Sequence, residues 1–271
     1  MRIKTLLNQI HKFQSFVYGD ARLIDRSGRL TLEVVLRPRS NSRPICSGCG
    51  QKRPGYDMLL LRRFEFVPLW GIVVFFLYAR RRVDCPACGI KVEALPWAAG
   101  KHRLTTTYAW FLADWARRLS WTEAAAVFHS TWHHVFASVK MAVDWGLERM
   151  DLEGVTAIGV DEMQWGRGHS YVTVVYQINE GSRRLLWVGQ HRTAKTLLRF
   201  FHWLGKERTG AIEFVCSDMW RAYLKVVAKK AGHAIHILDR FHIMTYMSKA
   251  IDKVRAEEGK DLKAKGLEPV L

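Results

Sequence analysis

Two copies of the motif Cys-x-x-Cys-Gly restrict the fold of this chain more than any other feature of its sequence. Their cysteines are Cys46, Cys49, Cys85 and Cys88. A two-residue gap lets two thiolates point at one centre, and the glycine that follows permits a tight turn around it. The two pairs supply four sulfur ligands, which predicts a structural zinc site, since a closed tetrahedral set leaves no open position for catalysis. The alternative is a group of four buried or redox-active thiols.

The segment between the two cysteine pairs predicts a β-hairpin. Residues 58–68 and 71–83 are rich in β-branched and aromatic residues, with a turn near Gly71. Zinc would therefore fasten a small, basic β domain over about residues 44–98. The start of the sequence lacks the features of a secretory signal, so we expect no disulfide bonds. The isolated Cys216 is predicted to be a small buried side chain without a special role.

Positive charge is concentrated in the N-terminal third of the 271-residue chain. The whole chain has a net charge of +17, and residues 1–104 contain 19 Lys and Arg against 7 Asp and Glu. Such a surplus favours a polyanionic partner, most simply double-stranded DNA. The candidates for phosphate contacts are five arginines of the predicted hairpin: Arg62, Arg63, Arg80, Arg81 and Arg82. The alternative is that they are solvated strand-end charges that prevent edge-to-edge pairing.

No segment predicts a membrane span. The longest apolar stretch, residues 68–79, is far shorter than the ~20 residues that cross a bilayer, and three arginines follow it. Hydrophobic residues make up 49% of the chain and charged residues 25%, which is typical of a folded globular protein rather than a disordered one.

Residues 99–150 have the spacing of three helices and no net charge between Thr105 and Met150. Apolar residues recur at helical intervals around 108–119, and two further helices are predicted at 122–128 and 132–148. A short helix, a tight turn and a longer helix form the outline of a helix-turn-helix DNA-binding motif. The alternative is a plain helical connector, since the break lacks the glycine often found in such a turn.

From residue 151 onward, strands and helices alternate. Three strands are predicted at 155–161, 169–178 and 184–191, followed by the order helix–strand–helix–strand–helix. This order predicts a ribonuclease-H-like mixed sheet with flanking helices. The predicted multidomain α/β protein thus consists of an N-terminal zinc-binding β region (1–98), a helix-turn-helix (99–150) and a partial ribonuclease-H-like domain (151–271).

Three predicted strands of this last domain end in an aspartate, at Asp161, Asp218 and Asp239. Side chains from the ends of separate strands converge at one edge of such a sheet, and converging carboxylates repel unless a divalent cation neutralises them. The pattern therefore suggests magnesium-dependent phosphoryl transfer. The alternative is that aspartate ends strands because it favours turns and helix N-caps. Glu162 is expected to point away from this site, because side chains alternate along a strand.

The order and spacing of several motifs resemble a known family. They are the two C-x-x-C-G pairs around the hairpin, the helix-turn-helix, GVDEMQWGRGHSYVTVV, VCSDMWRAY and LDRFHIM. Together, from about Pro44 to Arg255, they look like the ISL-three family of bacterial insertion-sequence transposases. The resemblance implies a DDE transposase that binds the terminal inverted repeats of its element and catalyses metal-dependent DNA cleavage and strand transfer.

The resemblance also implies roles for individual residues. Asp161 and Asp218 match the first and second metal carboxylates and would bind catalytic magnesium. Asp239 and His242 match the D-x-x-H signature, which organises the site. The zinc domain and the helix-turn-helix would recognise the transposon ends. The implied assembly is a homodimer on DNA, in the bacterial cytoplasm and associated with the nucleoid.

The sequence departs from the family pattern near its end. The family's third carboxylate is a glutamate on a helix well downstream of D-x-x-H, and 29 residues follow His242 here. Glu257 and Glu258 are expected to face solvent. We therefore expect a C-terminally truncated transposase. The alternative function is DNA binding or repression of transposition without cleavage. A junction resolvase is disfavoured, because such enzymes need little sequence recognition.

Overall fold

The computed structural model describes residues 3–26, 28–100, 102–168 and 170–267. The chain divides into two compact units, Met1–Met150 and Asp151–Leu271. Each unit combines helices with a mixed β-sheet, so the chain is an α/β protein. His169, the predicted start of a strand, lies outside the described residues.

A five-stranded mixed sheet organises the first unit. Its elements are α1 (Ile3–Ile10), β1 (Phe16–Arg26), β2 (Arg29–Pro38), β3 (Gly55–Leu69), β4 (Ile72–Cys85) and β5 (Gly89–Val92). The strand order is β1-β2-β4-β3, and β5 pairs with the C-terminal end of β4. The predicted hairpin is confirmed, because β3 and β4 pair antiparallel around Trp70 and Gly71.

The core of this sheet is larger than the sequence predicts for a small zinc domain. The reason is that β2 pairs in parallel with β4, which adds residues 16–38 to the hairpin. Alternate residues of β2, among them Leu32 and Val34, are buried on one face. Trp97 is buried at the centre of the core. Its indole packs edge-on against three aromatic rings, those of Phe16, Phe64 and Tyr78.

Three helices complete the first unit: α2 (Thr106–Trp115), α3 (Trp121–Val127) and α4 (Trp132–Glu148). They lie where the helical spacing predicts them. Each begins at a hydroxyl N-cap, and Ser120 and Glu123 form a reciprocal capping box in α3. In the turn before α4, His129 has a φ angle of 53°, a conformation that glycine more often supplies.

A second mixed sheet organises the second unit. Its elements are β6 (Ala157–Gln164), β7 (Tyr171–Asn179), β8 (Ser182–Gln190), α5 (Ala194–Leu204), α6 (Lys206–Gly210), β9 (Phe214–Ser217), α7 (Arg221–Lys230), β10 (Ile235–Leu238) and α8 (Arg240–Ala264). The strand order is β10-β9-β6-β7-β8. The strands β6, β7 and β8 form an antiparallel meander, whereas β9 runs parallel to both β6 and β10.

The strand β6 extends beyond its predicted end at Asp161. Its antiparallel pairing with β7 continues to Gln164 opposite Tyr171, whereas its parallel pairing with β9 stops at Val160 opposite Ser217. The predicted end was wrong because polar residues can continue a strand that keeps one hydrogen-bonded neighbour and is solvated. Asp161 therefore lies inside β6, just past the point where β9 ends.

Helices α5 and α7 pack together on the second sheet. Leu197, Phe200 and Phe201 of α5 are buried, as are Tyr223 and Val227 of α7. The 25-residue helix α8 differs, because none of its side chains is buried. None of the helices in the described ranges is both long enough and apolar enough to cross a membrane.

Candidate metal centres and nucleic-acid interface

The four paired cysteines form one cluster at an end of the first sheet. Cys46 and Cys49 lie in the loop before β3, Cys85 is the last residue of β4, and Cys88 lies in the turn to β5. Their sulfur atoms lie within 4.8 Å of one another, and all four are free thiols. Tetrahedral zinc, with Zn–S bonds of about 2.3 Å, needs sulfur atoms about 3.8 Å apart. The cluster could therefore hold zinc.

Glycines shape both cysteine turns. Gly50 and Gly89, which follow the two pairs, have φ angles of 71° and 68°, in the left-handed region that favours glycine. Gly48 instead permits a close approach, because a Cβ atom there would lie 2.9 Å from Sγ of Cys88. An alanine at position 48 would therefore push Cys88 away from the other sulfur atoms.

The surroundings of the cluster favour the thiolate, the form that binds metal, at Cys46, whereas burial and the neighbouring thiols raise the pKa of Cys88 to about 12. Backbone N–H groups of Cys49 and Gly48 lower the pKa of the Cys46 thiol. A hydrogen bond with the Cys49 side chain raises the pKa of the Arg53 guanidinium, which keeps a positive charge beside the sulfur atoms. Donors and positive charge around four sulfurs suit a thiolate-bound metal.

The three predicted aspartates lie in one row across three neighbouring strands. Cys216 in β9 pairs with Gly159 in β6 and with Ile237 in β10. The residues two positions further along each strand are Asp161, Asp218 and Asp239. Because side chains repeat with a period of two, these residues occupy equivalent register positions where the parallel strands end. The backbone register thus brings the three aspartates to one edge of the sheet, where Asp218 shares Arg192 with Glu162 and where Asp161 and Asp239 both raise the pKa of Cys216.

All three aspartates use one oxygen locally, and Oδ1 of Asp161 accepts a hydrogen bond from the N–H group of Glu162. Oδ1 of Asp218 accepts a hydrogen bond from the N–H group of Trp220, and Oδ1 of Asp239 accepts one from the N–H group of Phe241 at the start of α8. Asp218 and Asp239 therefore each make the backbone contact that is expected if they serve a turn or a helix N-cap. This contact leaves Oδ2 of each carboxylate for a second partner.

Sequence reasoning missed an ion-pair network around Arg192. Its Nε lies 2.8 Å from Oε1 of Glu162, and its Nη2 lies 3.0 Å from Oδ2 of Asp218. The side chains of Glu162 and Asp218 are only 8% and 9% exposed. Glu162 therefore shares an arginine with Asp218, a contact that was not predicted from the sequence, and its orientation away from Asp161 stays a prediction from alternation along β6. No local pattern signals this contact, since Arg192 is 26 residues from Asp218.

Shifts in pKa reflect how close the acidic groups lie. Burial raises the pKa of Glu162, and the negative charge of Asp218 raises it further. Burial also raises the pKa of Cys216, with additional contributions from Asp239 and Asp161 on the two flanking strands. These shifts place negative charge beside Glu162 and beside Cys216, where a cation would be favourable.

His242 lies beside Asp239 on the first turn of α8. Its Nε2 is 3.8 Å from Oδ2 of Asp239, the geometry of an i, i+3 pair on a helix. The two residues of the D-x-x-H signature therefore contact each other at the end of the aspartate row.

The donor set of the aspartate row fits a divalent cation, because magnesium prefers oxygen ligands. Within the described ranges, the four cysteines are the only group of three or more potential ligand side chains within 4.8 Å of one another. The three aspartates thus lie at one edge of the sheet, but their carboxylates do not converge within that distance as a group of three. Positive charge at this position comes from Arg192.

Three of the five predicted DNA-binding arginines bind acidic side chains. The pairs are Arg63 with Glu33, Arg81 with Glu93, and Arg82 with Asp57. Both glutamates are buried, so each needs a neutralising partner. These contacts favour a structural role for the three arginines.

Arg62 and Arg80 line a groove of about 1600 Å³ on the first unit, together with Arg63 and Arg103. Burial lowers the pKa of Arg62, and the positive charges of Arg80 and Arg103 lower it further. The three guanidinium groups therefore lie close enough to repel one another. Such an arrangement suits a polyanion.

A buried acid, Glu65, lines the same groove. Burial raises its pKa to about 7. Its Oε2 lies 3.6 Å from Nδ1 of His134 on α4, and burial lowers the pKa of that imidazole. The pair joins β3 to the helical segment, and burial favours the neutral form of each partner.

The outer surface of α4 is aromatic rather than basic. Trp132 and Phe136 are exposed and stacked at 5.4 Å, and Trp121 packs against both. Lys140 on the same helix is paired with Asp144. The helical segment therefore has the outline predicted for a helix-turn-helix without a basic face on its longer helix.

Comparisons with known proteins agree with these features. Residues 158–270 match a family described as transposase, of the DDE type named for ISL-three. The transposase for insertion sequence element IS1557 of Mycobacterium tuberculosis is 34% identical over 267 residues, which are 96% of this chain and 57% of that protein. The transposase for insertion sequence element IS1001 of Bordetella parapertussis is 27% identical over 235 residues, which are 86% of this chain and 57% of that protein.

Over most of its length the chain is therefore similar to transposases of insertion sequences. More narrowly, residues 158–270 match the model of the ISL-three family of transposases. The chain spans a little over half the length of the curated relatives that it matches.

We expect Gly48→Ala to weaken zinc binding by roughly tenfold or more, because the new Cβ displaces Cys88 from the sulfur cluster. Competition with a chromogenic chelator measures the affinity. Gly55→Ala is the matched control, since a Cβ there meets no atom within 4 Å. Equal zinc affinity of the two variants would contradict the role given to Gly48.

We expect the first unit to lose stability as pH rises from about 4.5 to about 7, because the folded state holds the proton of Glu65 more tightly than the unfolded state does. In Glu65→Gln, the decrease in the free energy of unfolding over this pH range should be smaller by about 3 kcal/mol. Urea unfolding at pH 5 and pH 8 measures it, with the exposed Glu148→Gln as control. An unchanged pH dependence in Glu65→Gln would show that Glu65 titrates normally.

Proposed function

We propose that this chain acts as a DNA transposase of a bacterial insertion sequence. It binds the terminal inverted repeats of its element and catalyses metal-dependent DNA cleavage and strand transfer. The observation that carries the proposal is the register of β6, β9 and β10, which brings three aspartates to one edge of the sheet in a segment that matches the transposase family. Aligned carboxylates at strand ends are the arrangement that phosphoryl transfer with divalent metal requires.

The proposed fold of the second unit is ribonuclease-H-like. Support comes from the strand order β10-β9-β6-β7-β8 and from the antiparallel meander that precedes the parallel strands. In this fold the C-terminal ends of the short parallel strands β9 and β10 lie at the same edge of the sheet as the C-terminal part of β6. The aspartate row lies at that edge.

The proposed residue roles follow from the contacts of the row. Asp161 and Asp218 would hold magnesium, which supplies charge neutralisation at a phosphoryl group and an activated water when bound. The N–H group of Trp220 fixes the Asp218 carboxylate. Asp239 fixes the start of α8 and lies beside His242, so this pair positions the helix against the row.

The proposed cofactor of the first unit is structural zinc. Four thiolates around one centre leave no position for substrate. Zinc bound there would tie the loop before β3 to the end of β4 and the turn to β5. It would therefore hold the hairpin, which carries the arginines, in a fixed orientation relative to that loop.

The proposed DNA contacts are phosphate contacts in the groove lined by Arg62, Arg80 and Arg103. Arg63, Arg81 and Arg82 would contribute only where DNA competes with their acidic partners. The helical segment 99–150 would add sequence recognition as a helix-turn-helix. Transposition joins two ends, so a homodimer on DNA is the proposed assembly, associated with the nucleoid in the bacterial cytoplasm.

DNA binding without cleavage is the second candidate function. It is favoured by the observation that the aspartates, within the described residues, are not drawn together within metal-ligand reach. In that case the chain would occupy transposon ends and repress transposition.

We expect magnesium-dependent nicking of a duplex that carries the element's terminal repeat, and we expect Asp161→Asn to reduce it by roughly a hundredfold or more through loss of a metal ligand. Gel analysis of end-labelled DNA measures the rate. Asp252→Asn on the exposed surface of α8 is the control. Tight binding without nicking by the unmodified chain would favour the second candidate.

We expect Arg80→Gln to weaken DNA binding at all sequences and to reduce the slope of log affinity against log salt by about 1, because one phosphate contact is lost. Fluorescence anisotropy over a salt series measures both. Arg37→Gln removes the same charge from a residue that pairs with Asp20 outside the groove, and should leave the slope unchanged. Equal slopes for the two variants would place the phosphate contacts elsewhere.

A further inference from the structure

Arg192 holds two carboxylates at the edge of the aspartate row. It lies between β8 and α5, and its guanidinium contacts Glu162 through Nε and Asp218 through Nη2. The same guanidinium stacks 4.8 Å from the ring centre of Trp220. Since the N–H group of Trp220 also binds Asp218, one short segment fixes both the arginine and its partner.

The backbone at this position is anchored independently of the side chain. His191 has a φ angle of 71°, and its N–H group donates to the carbonyl oxygen of Tyr171. Its own carbonyl oxygen accepts a hydrogen bond from Oγ1 of Thr173, which lies 2.7 Å from the buried hydroxyl of Tyr223. The Cα atom of Arg192 is therefore held in place, so a change at this site would involve only the side chain.

The two carboxylates need a cation. Glu162 and Asp218 are nearly buried, and a single guanidinium contacts both of them. Arg192 is 37% exposed, so it can swing into solvent while keeping its backbone contacts. Oδ1 of Asp218 is bound to the backbone, which leaves Oδ2 as the oxygen that a guanidinium and a divalent cation would both use.

We propose that Arg192 is a positioning residue that holds Glu162 and Asp218 until a divalent cation binds, and that the cation displaces its guanidinium from Asp218. The inference rests on the proposed function, since it requires a metal site at the aspartate row. In this arrangement the arginine prevents repulsion from spreading the carboxylates apart, and it also weakens metal binding by competing for one oxygen.

Metal affinity tests the proposal without any measurement of cleavage. Mn²⁺ binding is followed by electron paramagnetic resonance at pH 8 for the unmodified chain, Arg192→Gln, Arg192→Lys and Asp218→Asn, each with its zinc site filled. We expect Arg192→Gln to bind Mn²⁺ roughly three- to tenfold more tightly, since a competing cation is gone. Arg192→Lys keeps the charge but loses the two-pronged contact, so its affinity should lie between the two. Asp218→Asn should lose the site.

A second measurement follows the Arg192 side chain itself in the unmodified chain, with two variants serving for assignment and control. In a ¹⁵N spectrum, the Nε–H signal of Arg192, assigned by its absence in Arg192→Lys, should shift on titration with Mg²⁺ and should not shift in Asp218→Asn. If Arg192→Gln melts at a much lower temperature than the unmodified chain, this signal shows by itself whether Mg²⁺ displaces Arg192 from Asp218.

The outcomes separate the two proposals. Mn²⁺ binding that Asp218→Asn abolishes, combined with equal or weaker binding by Arg192→Gln and an unmoved Arg192 signal, overturns the displacement of Arg192 and leaves the metal site standing. No Mn²⁺ binding by the unmodified chain or by Arg192→Gln overturns both the displacement and the metal-dependent function.

Discussion

The backbone register of β9 against β6 and β10 controls the chemistry available to the second unit. Because side chains alternate with a period of two, a slip of one residue would turn an aspartate to the opposite face of the sheet. Polar contacts fix the register at the far end of these strands. Asn179 binds the N–H group of Ala157 and the hydroxyl of Thr156, whose carbonyl oxygen accepts from Glu213 and Phe214. Backbone contacts several residues away therefore fix the positions of the aspartates along these strands.

Buried acids constrain the first unit in a comparable way. Glu93 accepts hydrogen bonds from the hydroxyl of Tyr78 and from both the backbone and the side chain of Arg81. A buried carboxylate with fewer partners would destabilise the sheet, so such arginines are required for folding. The large positive charge of the N-terminal third is therefore not all available to a polyanion. The positive charge that lines the groove, at Arg80 and Arg103, is only part of the total positive charge of the N-terminal third.

Features encoded by short patterns were predictable from the sequence. The hairpin, the paired cysteines and the strand-end aspartates depend on neighbours within a few residues, and the structure contains all three. Features that depend on distant pairing were not predictable. The parallel pairing of β2 with β4 joins segments about forty residues apart without a periodic signal. The contacts of Arg192 with Glu162 and Asp218 are of the same kind, since charged residues fit many surface positions equally well.

The two interpretations of a strand-end aspartate, as a cap and as a ligand, are complementary at this site. A carboxylate has two oxygens, and a hydrogen bond from the N–H group of Trp220 to Oδ1 of Asp218 restricts rotation of the group. The second oxygen then faces one direction, toward Arg192. A ligand oxygen that is already oriented loses less conformational freedom when a cation arrives. The same turn chemistry that makes aspartate common at strand ends thus orients Asp218 toward Arg192, and in the proposed function the guanidinium and the metal would compete for that one oriented oxygen.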